Sequence, residues 1–252
     1  MPSAAQVGLP AAQELKLPSA SKPAAKLPGD SNAGEGTLNL RTSVNQYALP
    51  WSAVGRLMGG RISCTASLIG PSLLLTAAHC VFNPATQRPF APQELHFMLG
   101  YSQGRYVAEA HGVRLTYAET YDPSRGTETS GDDWALVDLD RPIGTPDRVL
   151  SLRTDPLTGG DIVTLGGYAQ ERIEMLMVDT RCRILGLMSD RNGVALLHHD
   201  CTANHGVSGA PLLIQEGDVW VIGGIEVTGT SANDGGAATL TGVHAALARR
   251  GN

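Results

Sequence analysis

Three short, widely separated segments constrain this chain most: Thr76-Ala77-Ala78-His79-Cys80, Asp132-Asp133-Trp134-Ala135-Leu136-Val137 and Gly206-Val207-Ser208-Gly209-Ala210-Pro211-Leu212. His79 and Asp133 are 54 residues apart, and Asp133 and Ser208 are 75 apart. Groups this distant in sequence work together only when tertiary structure gathers them, so the segments predict a site built by the fold.

The residue types explain why such a gathering would matter. A serine hydroxyl is a poor nucleophile at neutral pH, and an imidazole within hydrogen-bond reach takes its proton during attack and returns it to the leaving group. His79 is the candidate base and Ser208 the candidate nucleophile. Asp133 would hold the second ring nitrogen, set the tautomer and stabilise the imidazolium. Asp132 competes with Asp133 for that role, and the spacing to Ala135-Leu136 favours Asp133. Gly206 lets the backbone turn so that the N–H groups of Gly206 and Ser208 converge on one oxyanion, each donor contributing about 3–4 kcal/mol in the transition state.

Between the segments, alternating or apolar runs predict strands at 63–69, 72–76, 135–139, 161–165, 175–178, 194–197, 211–214 and 219–227. Gly-Pro, Asp-Pro, Glu-Gly-Asp and Asn233-Asp234-Gly235-Gly236 read as turns between them. Many short strands point to β-barrels, and 252 residues suffice for one large or two small cores. Residues 1–40 are rich in Ala, Pro, Ser and Lys without an apolar period, and read as a disordered, flexible leader or pro-segment. A net charge of −5 argues against a nucleic-acid partner. No run of 18 apolar residues occurs, so no membrane helix is expected.

The three segments resemble the active-site motifs of the chymotrypsin-fold (trypsin-like) serine proteases. The likeness extends upstream through Cys64-Thr65-Ala66-Ser67-Leu68-Ile69-Gly70 and downstream through Trp220 to Gly229, and is nearest to the bacterial glutamyl-endopeptidase-like branch. It implies an all-β fold of two six-stranded antiparallel barrels: residues 41–145 carrying His79 and Asp133, residues 146–252 carrying Ser208, and a crossover near 141–156. It implies a polypeptide substrate, cleaved as by an endopeptidase through an acyl-enzyme, with no cofactor, no metal and no membrane or nucleic-acid partner. A catalytically silent, peptide-binding protein of the same fold is the alternative, and the intact triad positions argue against it.

Four cysteines allow three pairings. The resemblance implies Cys64–Cys80, which leaves Cys182–Cys201. Two disulfides imply an oxidising, secreted or periplasmic location. The chain has no basic start followed by an apolar core, which fits that location if the numbering begins after a removed leader. His198 and His199 beside Asp200 complete no metal-ligand set and are read as strand-end or surface residues. His205 is expected to face the cleft or solvent, and His96, His111 and His244 stand in no motif.

Two departures from the resemblance matter. Val207 stands where the animal enzymes carry an aspartate that pairs with a newly cut amino terminus, and no Ile-Val-Gly-Gly start is present, so activation by N-terminal insertion is not implied. The pocket for the P1 residue is expected from Thr202, Ala203, Glu226, Val227, Thr228 and Gly229, with Val227–Gly229 pairing with substrate and Gly229 leaving the entrance open. Glu226 stands where glutamyl endopeptidases have a histidine, so an acidic P1 is not expected. Either Glu226 favours Arg or Lys at P1, or it is bonded internally beside a pocket for small or apolar residues.

Overall fold

Short apolar runs punctuated by glycine and proline pair into antiparallel sheet, because each run buries one or both faces and is too short to bury them alone. The computed structural model describes residues 41–170, 174–231 and 234–251. The expected leader at 1–40 lies outside the described residues.

The first barrel consists of β1 (Val54–Gly59), β2 (Ile62–Gly70), β3 (Leu73–Thr76), β4 (Leu95–Leu99), β5 (Ala108–Tyr117) and β6 (Ala135–Leu139). It closes in the order β1-β2-β3-β6-β5-β4. The second contains β7 (Ile162–Gly167), β8 (Met177–Ser189), β9 (Ala195–His199), β10 (Pro211–Glu216), β11 (Val219–Ser231) and β12 (Asp234–Ala238). Its order is β8-β7-β10-β11-β12-β9, and β9 returns to pair with β8, which closes a second ring of six. Closure pairs the strands of each ring on both sides over most of their length among the described residues.

Inward residues fill each barrel. Leu57, Leu68, Leu74, Phe97, Leu99 and Val137 are buried in the first, and Val163, Leu165, Ile184, Leu197 and Leu212 in the second. Full burial of one such side chain contributes roughly 1.5–3 kcal/mol. The chain ends are exchanged between barrels. Thr42 and Ser43 pair with Val178 and Met177 on β8. The terminal helix α1 (Thr241–Arg250) reaches back to the first barrel, where Arg250 bonds Asp138 at 3.0 Å.

Strands β1, β4, β5 and β12 were not anticipated from sequence, and neither was α1. The case of β12 is a correction. Asp234-Gly235-Gly236 is strand, not turn. Gly235 pairs with His199, and a β-carbon on Gly235 would lie 2.2 Å from the His199 ring. The glycine is there to let the imidazole pack flat against the sheet, a close-approach role that local reading takes for a turn.

The disulfides join Cys64 to Cys80 and Cys182 to Cys201. The first ties β2 to the 3₁₀ turn Ala78–Val81 that carries His79. The second closes a separation of 19 residues between β8 and the end of β9. A bridge over a loop of that length contributes about 3 kcal/mol through the unfolded state. The double variant Cys182→Ala/Cys201→Ala should therefore melt roughly 6–12 °C lower in a calorimetric scan. An unchanged Tm would show that this bridge adds nothing to stability.

Candidate active site

His79 leaves β3 on a single 3₁₀ turn, and Asp133 ends the 3₁₀ segment Pro123–Asp132 just before β6. Strand β3 pairs with β6, with Thr76 opposite Ala135, which brings the two residues side by side. Asp133 Oδ1 accepts the His79 main-chain N–H at 2.8 Å, and Oδ2 lies 2.7 Å from His79 Nδ1. Both carboxylate oxygens are committed to one residue, so the ring has little rotational freedom. Asp132 turns away and accepts a hydrogen bond from the Thr120 hydroxyl at 2.6 Å. The two aspartates thus have different partners.

Burial opposes charging the His79 ring, but the Asp133 carboxylate, through its charge and its hydrogen bond, outweighs it, and the charge of Glu226 adds to the effect. The net result is an imidazole held above its ordinary value of 6.5. The side chain is 33% exposed, so it reaches solvent and a bound molecule.

Ser208 and His79 line the same cavity, of about 500 Å³, between the barrels. No hydrogen bond joins the Ser208 hydroxyl to His79 Nε2 in this structure. Such contacts often tighten only when substrate is bound.

The loop before Ser208 is tightly held. The His205 carbonyl accepts from Gln170 N–H at 2.6 Å, and the Val207 carbonyl accepts from Ala210 N–H at 2.9 Å. In a trans peptide the N–H points opposite its carbonyl. These two bonds therefore aim the N–H groups of Gly206 and Ser208 away from Gln170 and Ala210. Gly206 has φ +95°, and a β-carbon there would lie 2.4 Å from the Tyr168 carbonyl. Only glycine fits.

The wall opposite Ser208 comes from residues that carried no motif: Tyr121, Pro123, Gly126, Thr127 and Ser130. This segment is tied to the second barrel, where Asp190 accepts from Gly131 N–H at 3.1 Å and Arg191 pairs with Glu128 at 3.2 Å. Nothing in the local sequence signals a wall, since its position depends on the β8–β9 turn against which it rests.

Ala203, Glu226, Val227, Thr228 and Gly229 also line the cavity. Thr202 does not: it is 3% exposed and donates its N–H to Asp179 at 3.0 Å, behind the wall. Gly229 lies beside Ala203 in this lining. A β-carbon on it would come within 3.1 Å of the Ala203 carbonyl, because pairing of β11 with β12 continues to Ser231 and carries Gly229 onto Ala203. Strand β10 stays with β11 only as far as Glu226, whose N–H and C=O bond Ala210 and Gly209 at 2.9 and 2.7 Å. Beyond it, Val227–Gly229 pairs with β12 alone.

His199 ends β9, but it is fully buried, not at the surface. The barrel interior covers it from the β12 side, where Gly235 makes room. Cys201 N–H donates to its Nδ1 at 3.2 Å, which places the ring proton on Nε2. Nε2 lies 2.7 Å from Glu226 Oε2, yet the oxygen is off the N–H direction, so the contact is electrostatic rather than a directed hydrogen bond. Glu226 is 2% exposed. The cavity lining contains two carboxylates, Asp133 and Glu226, and no Lys or Arg.

The architecture is found in solved structures. The solved structure described as "Structure of Glu endopeptidase in complex with MPD" superposes with a TM-score of 0.66 at 24% identity, covering 84% of this chain and 97% of that one. That likeness speaks for the fold. The trypsin family matches residues 40–248, nearly the whole length. With the paired His79 and Asp133 facing Ser208 across one cleft, this chain belongs to the trypsin family, the trypsin-like serine proteases.

Proposed function

We propose that this protein is a serine endopeptidase working outside the cytoplasm, with His79, Asp133 and Ser208 as its triad. The observation that carries the reading is the double hold of Asp133 on His79, with Ser208 lining the same cavity. A substrate strand would lie along the edge of Val227–Gly229 left open by β10, an addition that uses main-chain groups for affinity. His79 Nε2 takes the proton of Ser208 as its oxygen bonds the scissile carbonyl carbon. The resulting oxyanion accepts from the N–H groups of Gly206 and Ser208. The proton then passes to the leaving amine, and water repeats the sequence on the acyl-enzyme. The disulfides support an oxidising location. No helix among the described residues is long and apolar enough to cross a membrane.

A fluorophosphonate probe should label the purified protein at Ser208, and Ser208→Ala should abolish labelling and lower peptide hydrolysis by about 10³-fold or more. Absence of labelling in the wild type would favour the silent, peptide-binding alternative. Asp133→Asn should be severely impaired and Asp132→Asn close to wild type.

The base works only when neutral, and its proton is held more tightly than usual. Activity should therefore be lost in acid and rise with pH through a value above 6.5. A rate profile flat from about pH 4 to 9 would exclude histidine as the base.

Ala203 and the 226–229 strand form the P1 wall in this reading. Glu226 directs one oxygen inward to His199, the internally engaged of its two possible roles, and its negative charge opposes an acidic side chain. Gly229 packs so near Ala203 that a β-carbon on it would lie 3.1 Å from the Ala203 carbonyl, which narrows the space for a P1 side chain in this reading. A peptide-library profile should show small or apolar P1 residues favoured and Asp and Glu refused, with Glu226→Gln easing that refusal. Strong cleavage after Glu or Asp by the wild type would overturn this assignment.

A further inference from the structure

Thr65 has no part in the triad, and its side chain is out of reach of substrate. It sits on β2 in the first barrel, fully buried at 0% exposed. Every polar atom it has is engaged, and two of its four hydrogen bonds reach the loop of the other barrel that bears Ser208. Its N–H donates to the Ser208 carbonyl at 2.9 Å. Its carbonyl accepts from the Thr76 hydroxyl at 2.8 Å. Its own hydroxyl donates to the Gly206 carbonyl at 3.0 Å and accepts from Tyr168 N–H at 3.0 Å. One proton and one lone pair account for that pair of bonds without conflict.

The consequence lies at Gly206. The carbonyls on both sides of its α-carbon are tied: that of His205 by Gln170, and that of Gly206 by Thr65. Gln170 follows Tyr168 by two residues, so the Thr65 hydroxyl anchors the start of the same segment that holds His205. Glycine offers no steric barrier to peptide rotation. Remove the hydroxyl, and the Gly206 carbonyl and the Tyr168 N–H are left buried without partners. The peptide after Gly206 is then held only through Val207 N–H, which donates to the Asn204 carbonyl at 3.1 Å, and the one before it only through Gln170, on a segment that has lost its Tyr168 tie, so both can shift.

We propose that Thr65 is a positioning residue: its hydroxyl keeps the Gly206 N–H aimed at the oxyanion, from the opposite barrel and without touching substrate. The proposal rests on the reading of Gly206 as an oxyanion donor. It makes that donor depend on the contact between the barrels rather than on an ion pair at the residue before Ser208, where this chain has Val207.

The experiment compares the full chain with Thr65→Val, which keeps the side-chain shape and removes both hydroxyl bonds, and Thr65→Ser, which restores them. Fluorophosphonate labelling and hydrolysis by the wild type come first; if they are absent, the protease reading fails and Thr65 is not at issue. With an active wild type and folding checked by near-UV circular dichroism, Thr65→Val should lose about 10- to 100-fold in kcat with KM changed less than about twofold, since the oxyanion exists only past the ground state. Affinity for a peptide aldehyde, which bonds Ser208 and forms a tetrahedral oxyanion, should fall by the same factor. Affinity for the cleaved product peptide should not. Thr65→Ser should recover most of both losses. If Thr65→Val does not fold, Thr65→Ala is read in the same way. Unchanged kcat and aldehyde affinity, equal losses for aldehyde and product, or no recovery in Thr65→Ser would each overturn the proposal.

Discussion

The 2.9 Å hydrogen bond from Thr65 N–H to the Ser208 carbonyl is the point at which two separate barrels become one site. Each barrel is closed in its strand pairing, yet main-chain groups of each find partners on the other: Thr65 N–H on Ser208, and Tyr168 N–H on the Thr65 hydroxyl. What the junction adds is position. His79 and Asp133 are set by the pairing of β3 with β6 in the first barrel, and Ser208 by the loop entering β10 in the second. Their separation depends on the few polar links across the interface. Those links are buried, where an unmade hydrogen bond costs far more than a made one contributes, so the register of the interface is sharply defined.

Val207 illustrates how the same loop is held by different physics. It is 2% exposed and packs close to Gly167 on β7. A buried valine contributes roughly 1.5–3 kcal/mol by removal from water, with no dependence on pH or on a free amino terminus. The carbonyl ties at His205, Gly206 and Val207 then orient the loop. Apolar anchoring and main-chain hydrogen bonds together hold the loop in place.

Beneath the pocket, Glu226 and His199 form a buried pair whose polarity follows from one main-chain contact. Cys201 N–H occupies Nδ1, so the ring brings its other nitrogen, Nε2, to 2.7 Å from the Glu226 carboxylate without a directed hydrogen bond. Glu226 Oε2 is left with no hydrogen-bond donor among the described residues. Its field reaches His79, which it helps to hold in the protonated form. The groups that shape the P1 wall and the group that moves the proton are thus electrostatically coupled.

The chain by itself determined the family and the barrel fold and pointed to three candidate residues, because small residues packed around a reactive side chain leave a local signature: Ala77-Ala78 before His79, Gly206 and Gly209 around Ser208. It also marked strands such as β6, where only Asp138 interrupts the apolar residues. It left Asp132 and Asp133 to be separated by spacing; their partners distinguish them directly. Strand β12 was hidden because its glycines answer to a histidine 36 residues away. His199 looked peripheral for the same reason, since its burial is decided by β12 closing over it. The far wall of the cleft, the contact of Gly229 with Ala203 and the role of Thr65 belong to the tertiary structure alone. Each depends on which distant backbone group stands within about 3 Å, and no local pattern of side chains encodes that distance.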